Sequence, residues 1–226
     1  MVWLEPMKRN KMYNLPKPYI SYSQYSLWKS SKDQYRKRYY EDAPSIETIE
    51  TLYGKKIGLM VEEEKHHDDE VLSKLINYPC KEYRIEIEID EGLKVLGFLD
   101  QFHPETLSLL EMKTGHRNKA GKAPWDNLKV HKHKQLVFYS LLIELKHGDV
   151  HPTAILQWLE TEFVDETIEF DGHILTSKSG RKLFLNGAIE TYERVIEQWE
   201  RDKIREDIIM VAKEITEDYT QWQKTK

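Results

Sequence analysis

Three consecutive segments with the periodicity of β-strands, joined by two short turns, constrain the fold more than any other feature of the sequence. Apolar and charged residues alternate from Tyr83 to Ile89, which is typical of a half-buried strand. The turn Asp90-Glu91-Gly92 leads into a second apolar segment, Lys94–Phe102, and His103-Pro104-Glu105-Thr106 leads into a third, Leu107–Lys113. Strands joined by such short turns pair antiparallel, so these segments are predicted to form an antiparallel meander.

The segments on either side of the meander are predicted to be mainly helical. Residues 1–19, with three prolines, are expected to form an irregular arm, and Ser21 or Ser23 can cap the helix that follows. The other predicted elements are a basic helix over Asp33–Tyr40, one or two helices within residues 46–77, a helix over Lys129–Lys146, a strand over Thr153–Thr161, an amphipathic helix over Ser177–Trp199 and a helix over residues 203–222. This order predicts an α/β fold in which a mixed central sheet contains the meander and is flanked by helices. The core is expected to span residues 20–175, with additional helices at the N-terminus and over residues 176–226.

The composition excludes several classes of site and of enzyme. The single cysteine, Cys80, rules out an internal disulfide and any four-cysteine zinc or iron–sulfur site. The motifs G-x-S-x-G, Walker A and G-x-G-x-x-G are absent, which counts against serine hydrolases, P-loop ATPases and dinucleotide enzymes. No apolar run approaches the roughly 18 residues that span a membrane, and the first residues lack the apolar core of a signal peptide. We therefore expect a soluble cytoplasmic protein with no membrane partner.

Positive charge is concentrated in one segment although the chain has a net charge of -5. Residues 113–134 contain a single acidic residue, Asp126, and seven basic ones: Lys113, Arg117, Lys119, Lys122, Lys129, Lys132 and Lys134. A basic segment of this kind is either a solvated loop or a surface that binds phosphate groups. Its position after the third strand of the meander makes it a candidate nucleic-acid contact.

Two carboxylates and a lysine are predicted to converge at the ends of neighbouring strands. Side chains alternate along a strand, so Glu111 and Lys113 point to one side of the third strand while Met112 points to the other. Asp100 ends the second strand of the hairpin and can lie beside Glu111. Surface strands often carry such charges as cross-strand pairs, but the apolar residues of segment 107–112 indicate a buried strand, where a charge needs a partner. Oxygen ligands of this kind suit Mg²⁺.

These blocks resemble the motifs of the PD-(D/E)XK nuclease superfamily, in particular its RecB-like exonuclease branch, over about residues 20–160. In G-F-L-D, Asp100 matches the first metal carboxylate of the family. In E-M-K, Glu111 matches the second carboxylate and Lys113 the catalytic lysine, while the backbone carbonyl of Met112 matches a further metal ligand. The resemblance implies a restriction-endonuclease-like core and an Mg²⁺ or Mn²⁺ cofactor.

Two further blocks extend the resemblance. Q-L-V-F-Y matches the Q-x-x-x-Y signature of the branch with Gln135 and Tyr139, which lie one helical turn apart and in the family touch the metal-bound region and the DNA backbone. Gly58-Leu59-Met60-Val61-Glu62 matches G-x-x-x-E, which makes Glu62 the candidate for an extra metal ligand. Its rivals are Glu63, Glu64, His66 and His67, and a plain acidic surface helix is the alternative. The I-S-Y-S stretch is similar to an N-terminal S-x-S motif that continues into iron–sulfur cysteines in CRISPR-adaptation nucleases. Ser30-Ser31 stands there instead, so no iron–sulfur cluster is expected.

The resemblance implies a metal-dependent DNA nuclease, an exonuclease acting in recombination, repair or phage DNA processing inside a bacterial or phage-infected cell. The expected partners are single-stranded DNA or duplex ends, with a recombination protein as a further candidate. The residues expected to contact DNA are Arg117, Lys119, Lys122, Lys129, Lys132 and Lys134, together with Arg36 and Arg38 of the basic helix. Trp125 either packs the long loop or stacks on unpaired bases, and the tyrosines of that helix could stack in the same way. The alternatives are a catalytically silent nuclease-fold module that binds DNA or a protein, and a nuclease that acts on RNA.

Overall fold

A computed structural model of the chain describes residues 12–45, 47–65, 69–148, 152–164, 175–176 and 182–226. The strands are β1 (Ile20–Ser21), β2 (Cys80–Asp90), β3 (Leu93–His103), β4 (Ser108–Gly115), β5 (Thr153–Val164), β6 (Leu175–Thr176) and β7 (Lys182–Val195). The helices are α1 (Tyr22–Ser30), α2 (Lys32–Tyr39), α3 (Ile49–Glu62), α4 (Asn127–His131), α5 (Lys134–His147) and α6 (Gln198–Lys224), with a 3-10 turn at Leu72–Lys74. None of the helices in these ranges is both long and apolar enough to cross a bilayer.

The described strands form one mixed sheet. Its order is β1-β3-β4-β5-β7-β6, and β2 pairs with β3. The pairs β2–β3 and β3–β4 are antiparallel, which confirms the predicted meander. Strand β5 runs parallel to β4, as expected where a helical connection such as α4–α5 returns the chain to the same edge. The predicted α/β fold with a mixed sheet is therefore confirmed.

Helices pack against both faces of this sheet. The larger core contains Phe138 and Leu142 of α5 and Ile208 of α6, packed with Leu99 and Leu156 of the sheet. The smaller core joins apolar residues of α3 to the opposite side chains of β5 and β7, and it contains Tyr53, Ile57, Leu159 and Leu183. Because neighbouring residues of a strand face opposite sides, β5 supplies both cores.

The C-terminal region departs from the prediction. The helix predicted over Ser177–Trp199 is wrong: residues 177–181 lie outside the described residues, residues 182–195 form strand β7, and Trp199 belongs to α6. Strand β7 pairs antiparallel with β5 from Thr153↔Val195 to Val164↔Lys182. Part of the segment predicted to be purely helical, residues 176–226, thus belongs to the central sheet.

Smaller differences concern two other helical predictions. The helix predicted over Lys129–Lys146 is two helices, α4 and α5, because the chain turns at Lys132 and His133. After α3, the apolar residues near 72 form a 3-10 turn rather than a second α-helix. Ser21 does cap α1, since its hydroxyl accepts a hydrogen bond from the backbone N–H of Gln24.

The described part of the N-terminal arm, residues 12–19, contains no helix or strand and packs against the core. The Tyr13 hydroxyl donates to the Asp90 carboxylate over 2.5 Å. The Asn14 side chain donates to Thr220 and Gln223 of α6, over 3.0 and 2.9 Å. The arm therefore joins the tip of the β2–β3 hairpin to the C-terminal helix.

Candidate active site

The candidate site lies where strands β3 and β4 separate. Their backbone pairing ends at Gln101↔Leu110, and Asp100 and Glu111 are the next residues on the two strands. The Asp100 carboxylate accepts a hydrogen bond from the backbone N–H of Met112 over 2.7 Å. The aspartate side chain thus satisfies a backbone donor of β4 that no longer has a ladder partner on β3.

A chain of hydrogen bonds joins the catalytic residues predicted on β4 to those predicted on α5. The Lys113 ammonium donates to the Glu111 carboxylate and, over 3.0 Å, to Oε1 of Gln135. The Gln135 amide in turn donates to the hydroxyl of Tyr139, one helical turn away, over 3.1 Å. The structure therefore brings together Asp100, Glu111, Lys113, Gln135 and Tyr139.

The two carboxylates lie in a poorly solvated site and repel one another. The pKa of Asp100 is raised well above its ordinary value, first by burial and then by the charge of Glu111. Burial alone would lower the pKa of Lys113, but the Glu111 and Asp100 carboxylates outweigh it and raise that pKa. The lysine is therefore protonated at neutral pH in this arrangement.

The donor set fits a hard divalent cation. Glu111 is only 2% exposed, and its Oε2 atom is buried without a hydrogen-bond partner among the described residues. A buried carboxylate oxygen without a donor is unfavourable unless a ligand completes it. As the side chains are oriented here, the described residues contain no group of three or more carboxylate, imidazole or thiol side chains that could hold an ion. A cation at Asp100 and Glu111 would therefore complete its coordination with backbone or water oxygens, as Mg²⁺ usually does.

A cavity of about 740 Å³ opens between α3 and the gap between β3 and β4. Five carboxylates line it, namely Glu50, Glu62, Glu82, Asp100 and Glu111. Glu62, the predicted extra ligand, is the exposed last residue of α3. Its rival Glu63 pairs with Lys65, and His66 and His67 lie outside the described residues.

Sequence reasoning missed Glu82. This residue lies on β2 but has a backbone φ of 43°, in the left-handed region that a non-glycine residue rarely adopts. Its pKa is raised by burial and by the charges of Glu62 and Glu111, so the three carboxylates influence one another across the cavity. In the sequence Glu82 looks like an ordinary exposed position beside an alternating strand, and no local signal indicates its unusual φ.

Gly97 allows α5 to approach the sheet closely. A Cβ atom at this position would lie 2.6 Å from Cδ1 of Leu142 and 3.1 Å from Cε1 of Tyr139. Real Cβ atoms do not approach other carbons this closely. The glycine of G-F-L-D thus leaves the space in which Tyr139 sits beside the candidate site.

Two aromatic residues also border Lys113. The pKa of His133 is lowered to about 4 by burial and by the Lys113 charge, so its ring is neutral at neutral pH. Burial raises the pKa of Tyr22, whose ring meets that of His133 edge-on. Trp125 packs against His133 with ring centroids 4.9 Å apart and belongs to the margin of the larger core. Packing of the long loop, one of the two interpretations of Trp125, therefore accounts for its position.

Arg117, predicted to contact DNA, is occupied within the protein. Its guanidinium pairs with Glu160 at 3.0 Å and with Glu190 at 2.8 Å, and lies over the Trp158 ring. Since Glu160 belongs to β5 and Glu190 to β7, Arg117 bridges the loop after β4 to two strands. It is positioned to stabilise the sheet.

The other lysines predicted to contact DNA differ in whether they already have a partner within the protein. The Lys129 ammonium donates to the Pro124 carbonyl, and Lys134 pairs with Asp207 at 3.3 Å. Lys119, Lys122 and Lys132 are exposed and have no ion-pair partner among the described residues.

The two arginines of helix α2 also differ. Arg36 pairs with Asp33 and with Asp218 of α6, so it holds α2 against the C-terminal helix. Arg38 is exposed and lies over the ring of Tyr39.

Comparison with solved structures identifies the fold. A protein from Eubacterium rectale, which carries the provisional name exonuclease, aligns with 86% of this chain and 77% of its own, with a TM-score of 0.52 and 10% identity. The chain has a restriction-endonuclease-like fold. SSO0001 aligns over the same shares with 17% identity and a TM-score of 0.44, which is too low to support an assignment. No sequence model of a protein family and no curated protein matches the chain. Since one fold serves many activities, the function has to be argued from the site.

Proposed function

We propose that the protein is a divalent-metal-dependent deoxyribonuclease that hydrolyses phosphodiester bonds, working as an exonuclease in recombination, repair or phage DNA processing. The observation that carries the proposal is the convergence of Asp100, Glu111 and Lys113 where β3 and β4 separate. The exonuclease assignment draws on the motif resemblance and on the provisional name of the Eubacterium rectale protein.

Asp100, Glu111 and the Met112 carbonyl would hold Mg²⁺ or Mn²⁺, with Glu62 as an additional ligand from α3. When bound, the ion supplies a Lewis acid that polarises the phosphate and favours ionisation of a water molecule. A cation also neutralises the repulsion that raises the pKa of Asp100. This balance of charge supports the proposed ligand set.

Lys113 would stabilise negative charge as the phosphoryl group reacts. Because the ammonium is protonated in the folded protein, it is suited to hold the attacking water and to donate to a phosphate oxygen rather than to take up a proton. The side-chain carbonyl of Gln135 accepts a second hydrogen bond from the ammonium, and the Gln135 amide is held in turn by the Tyr139 hydroxyl. These contacts limit the rotation of a flexible side chain, which supports precise orientation of the reacting groups.

The test is a time course with 5′- and 3′-labelled single- and double-stranded DNA and an RNA of the same sequence. Wild type is compared with Lys113→Ala and with Lys94→Ala, each with Mg²⁺, Mn²⁺ or EDTA. Lys94 is the matched control because it lies near the start of β3, at the end of the strand remote from Asp100. Metal-dependent loss of label from DNA by wild type and the control, but not by Lys113→Ala, is expected. Normal metal-dependent cleavage by Lys113→Ala would overturn the assignment. Cleavage of RNA alone would show that the substrate is RNA and not DNA. DNA binding without cleavage would favour a silent binding module.

A further inference from the structure

A groove distinct from the candidate active site borders the N-terminal turn of α5. It has a volume of about 320 Å³ and is formed between the end of α4, the start of α5 and the first turns of α6. Trp199 and Ile204 of α6 and Val137 of α5 supply its apolar lining. The charged groups that line it are Lys132, Lys134, Glu200, Lys203 and Asp207, and His131 lies beside them.

The most unusual residue of this groove is Trp199, which is 62% exposed. It lies in the first turn of α6, where Glu197 and Glu200 already satisfy the helix end through a capping box. The fold therefore gains little from a large aromatic side chain at this position. An exposed indole beside cationic groups is the kind of surface on which unpaired bases stack.

The net charge available to a ligand in the groove is positive. Lys132 and Lys203 are exposed and have no ion-pair partner among the residues described. Of the two acids, Glu200 pairs with Arg194, and Asp207 pairs with Lys29 and Lys134. Two unpaired ammonium groups in the same groove as an indole suit a chain of phosphates that also carries bases.

The groove is connected to the candidate active site through two consecutive residues of α5. Lys134 lines the groove, while the next residue, Gln135, holds the ammonium of Lys113. Consecutive helical residues point about 100° apart around the axis, so the two sites lie on adjacent faces of the first turn of α5. A strand that reaches both sites therefore passes around this turn.

We propose that this groove is a subsite for an unpaired nucleic-acid strand. Trp199 stacks on a base that lies outside the candidate active site, and Lys132 and Lys203 contact the neighbouring phosphates. The inference rests on the proposed nuclease function and specifies its substrate, a strand that is unpaired where it passes around the first turn of α5.

The test measures binding separately from cleavage. Anisotropy of labelled oligothymidylates of 2, 4, 8 and 12 nucleotides is recorded in EDTA with wild type, Trp199→Ala, Trp199→Phe and Met210→Ala. Met210 is the control because it is 51% exposed on the same helix and does not line the groove. Loss of one stacked base is worth about 1–3 kcal/mol, so Trp199→Ala should weaken binding of the 8- and 12-mers roughly tenfold.

The length series and the second variant identify the cause of any loss. The dinucleotide cannot occupy the groove and the candidate active site together, so Trp199→Ala should weaken its binding less than that of the longer strands. Trp199→Phe keeps an aromatic face and should restore most of the affinity for the longer strands. Lys203→Ala should lower the salt dependence of binding by about one ion. Equal binding of the 12-mer by wild type and Trp199→Ala would overturn the subsite and leave the nuclease proposal standing. Absence of binding by wild type, together with absence of cleavage, would overturn both.

Discussion

Replacing Gly97 by alanine tests whether the close approach of α5 to β3 positions the candidate site. The new methyl group would lie 2.6 Å from Cδ1 of Leu142, about 1 Å inside an ordinary carbon–carbon contact. Overpacking of this kind costs about 1–3 kcal/mol, and the removal of a strand glycine returns about 0.5–1 kcal/mol. We therefore expect a net loss of about 1–2 kcal/mol, or a fall of roughly 2–8 °C in Tm for a chain of this size.

The effect on activity should exceed what stability alone would cause. If Leu142 rotates away, the methyl group still meets Tyr139 at 3.1 and 3.2 Å, so the ring has to shift and Gln135 with it. Since a misplacement of about 1 Å can lower a rate 100-fold, a shift of a few tenths of an ångström should lower single-turnover cleavage about tenfold. The rate is measured well below Tm, where both proteins are folded.

Gly58→Ala is the matched control for stability. Gly58 lies within α3, and no atom is within 4 Å of a Cβ built there. Alanine in a helix interior is favoured over glycine by about 0.5–1 kcal/mol, so Tm should rise by roughly 1–4 °C. Unchanged Tm and unchanged cleavage for Gly97→Ala, measured beside this control, would refute the proposed role of the close contact.

Three further substitutions test the charges and hydrogen bonds of the site. Asp100→Asn keeps the acceptor for Met112 but removes one buried charge. Because the folded pKa of Asp100 is raised, its contribution to stability is present below the ordinary aspartate range and lost as pH rises, so in EDTA at pH 7 the variant should melt at a higher temperature than wild type, and an unchanged melting curve would contradict the proposed repulsion. Glu82→Gln should weaken Mg²⁺ binding in a calorimetric titration, and Glu82→Gly should raise Tm because glycine adopts the positive φ without strain. Tighter Mg²⁺ binding by the first variant or a lower Tm of the second would exclude the interpretation that Glu82 keeps a strained backbone in order to bind the ion. Tyr139→Phe removes one neutral hydrogen bond to Gln135 and should slow single-turnover cleavage about twofold to tenfold, and a much larger loss would indicate direct contact with the substrate.

The meander could be predicted because its information is local. Alternation along residues 83–89 and two turns of three or four residues fix both the strands and their antiparallel pairing. The observed strands β2 to β4 differ from the predicted segments only at their ends, by one to three residues. The mixed sheet around them follows from general rules on how such a unit buries its faces.

Strand β7 could not be predicted in the same way. Leu185, Ile189, Tyr192 and Ile196 recur at helical spacing, which favoured a helix. In the structure Leu185 and Ile189 pack with the α3 cluster while Tyr192 packs with the larger core, so the segment alternates between two buried faces. Pairing with β5 decides the outcome, and such a non-local contact leaves no local pattern.

In the candidate site, too, local features could be predicted from the sequence and non-local ones could not. The common side of Glu111 and Lys113 follows from strand alternation, and the common side of Gln135 and Tyr139 from helical spacing. That Lys113 meets Gln135, 22 residues away, was implied only by the family resemblance. Glu82 was missed because its role depends on a backbone conformation and on cross-strand neighbours.

The energetics of Asp100 and Glu111 bear on the choice between a nuclease and a silent binding module. In the protein without a cation, burial and the charge of Glu111 raise the pKa of Asp100, one Glu111 oxygen has no donor, and the Lys113 ammonium donates to Glu111. Burying an incompletely paired charge is destabilising, and neutral residues of similar size would fit the same positions. Features that weaken a fold are concentrated where a ligand uses them. Without metal, the protein should therefore become more stable when Asp100 is neutralised. With metal, the unmodified protein should be the more stable of the two, because the ion binds its folded state, and a module without a metal site has no reason to show this reversal.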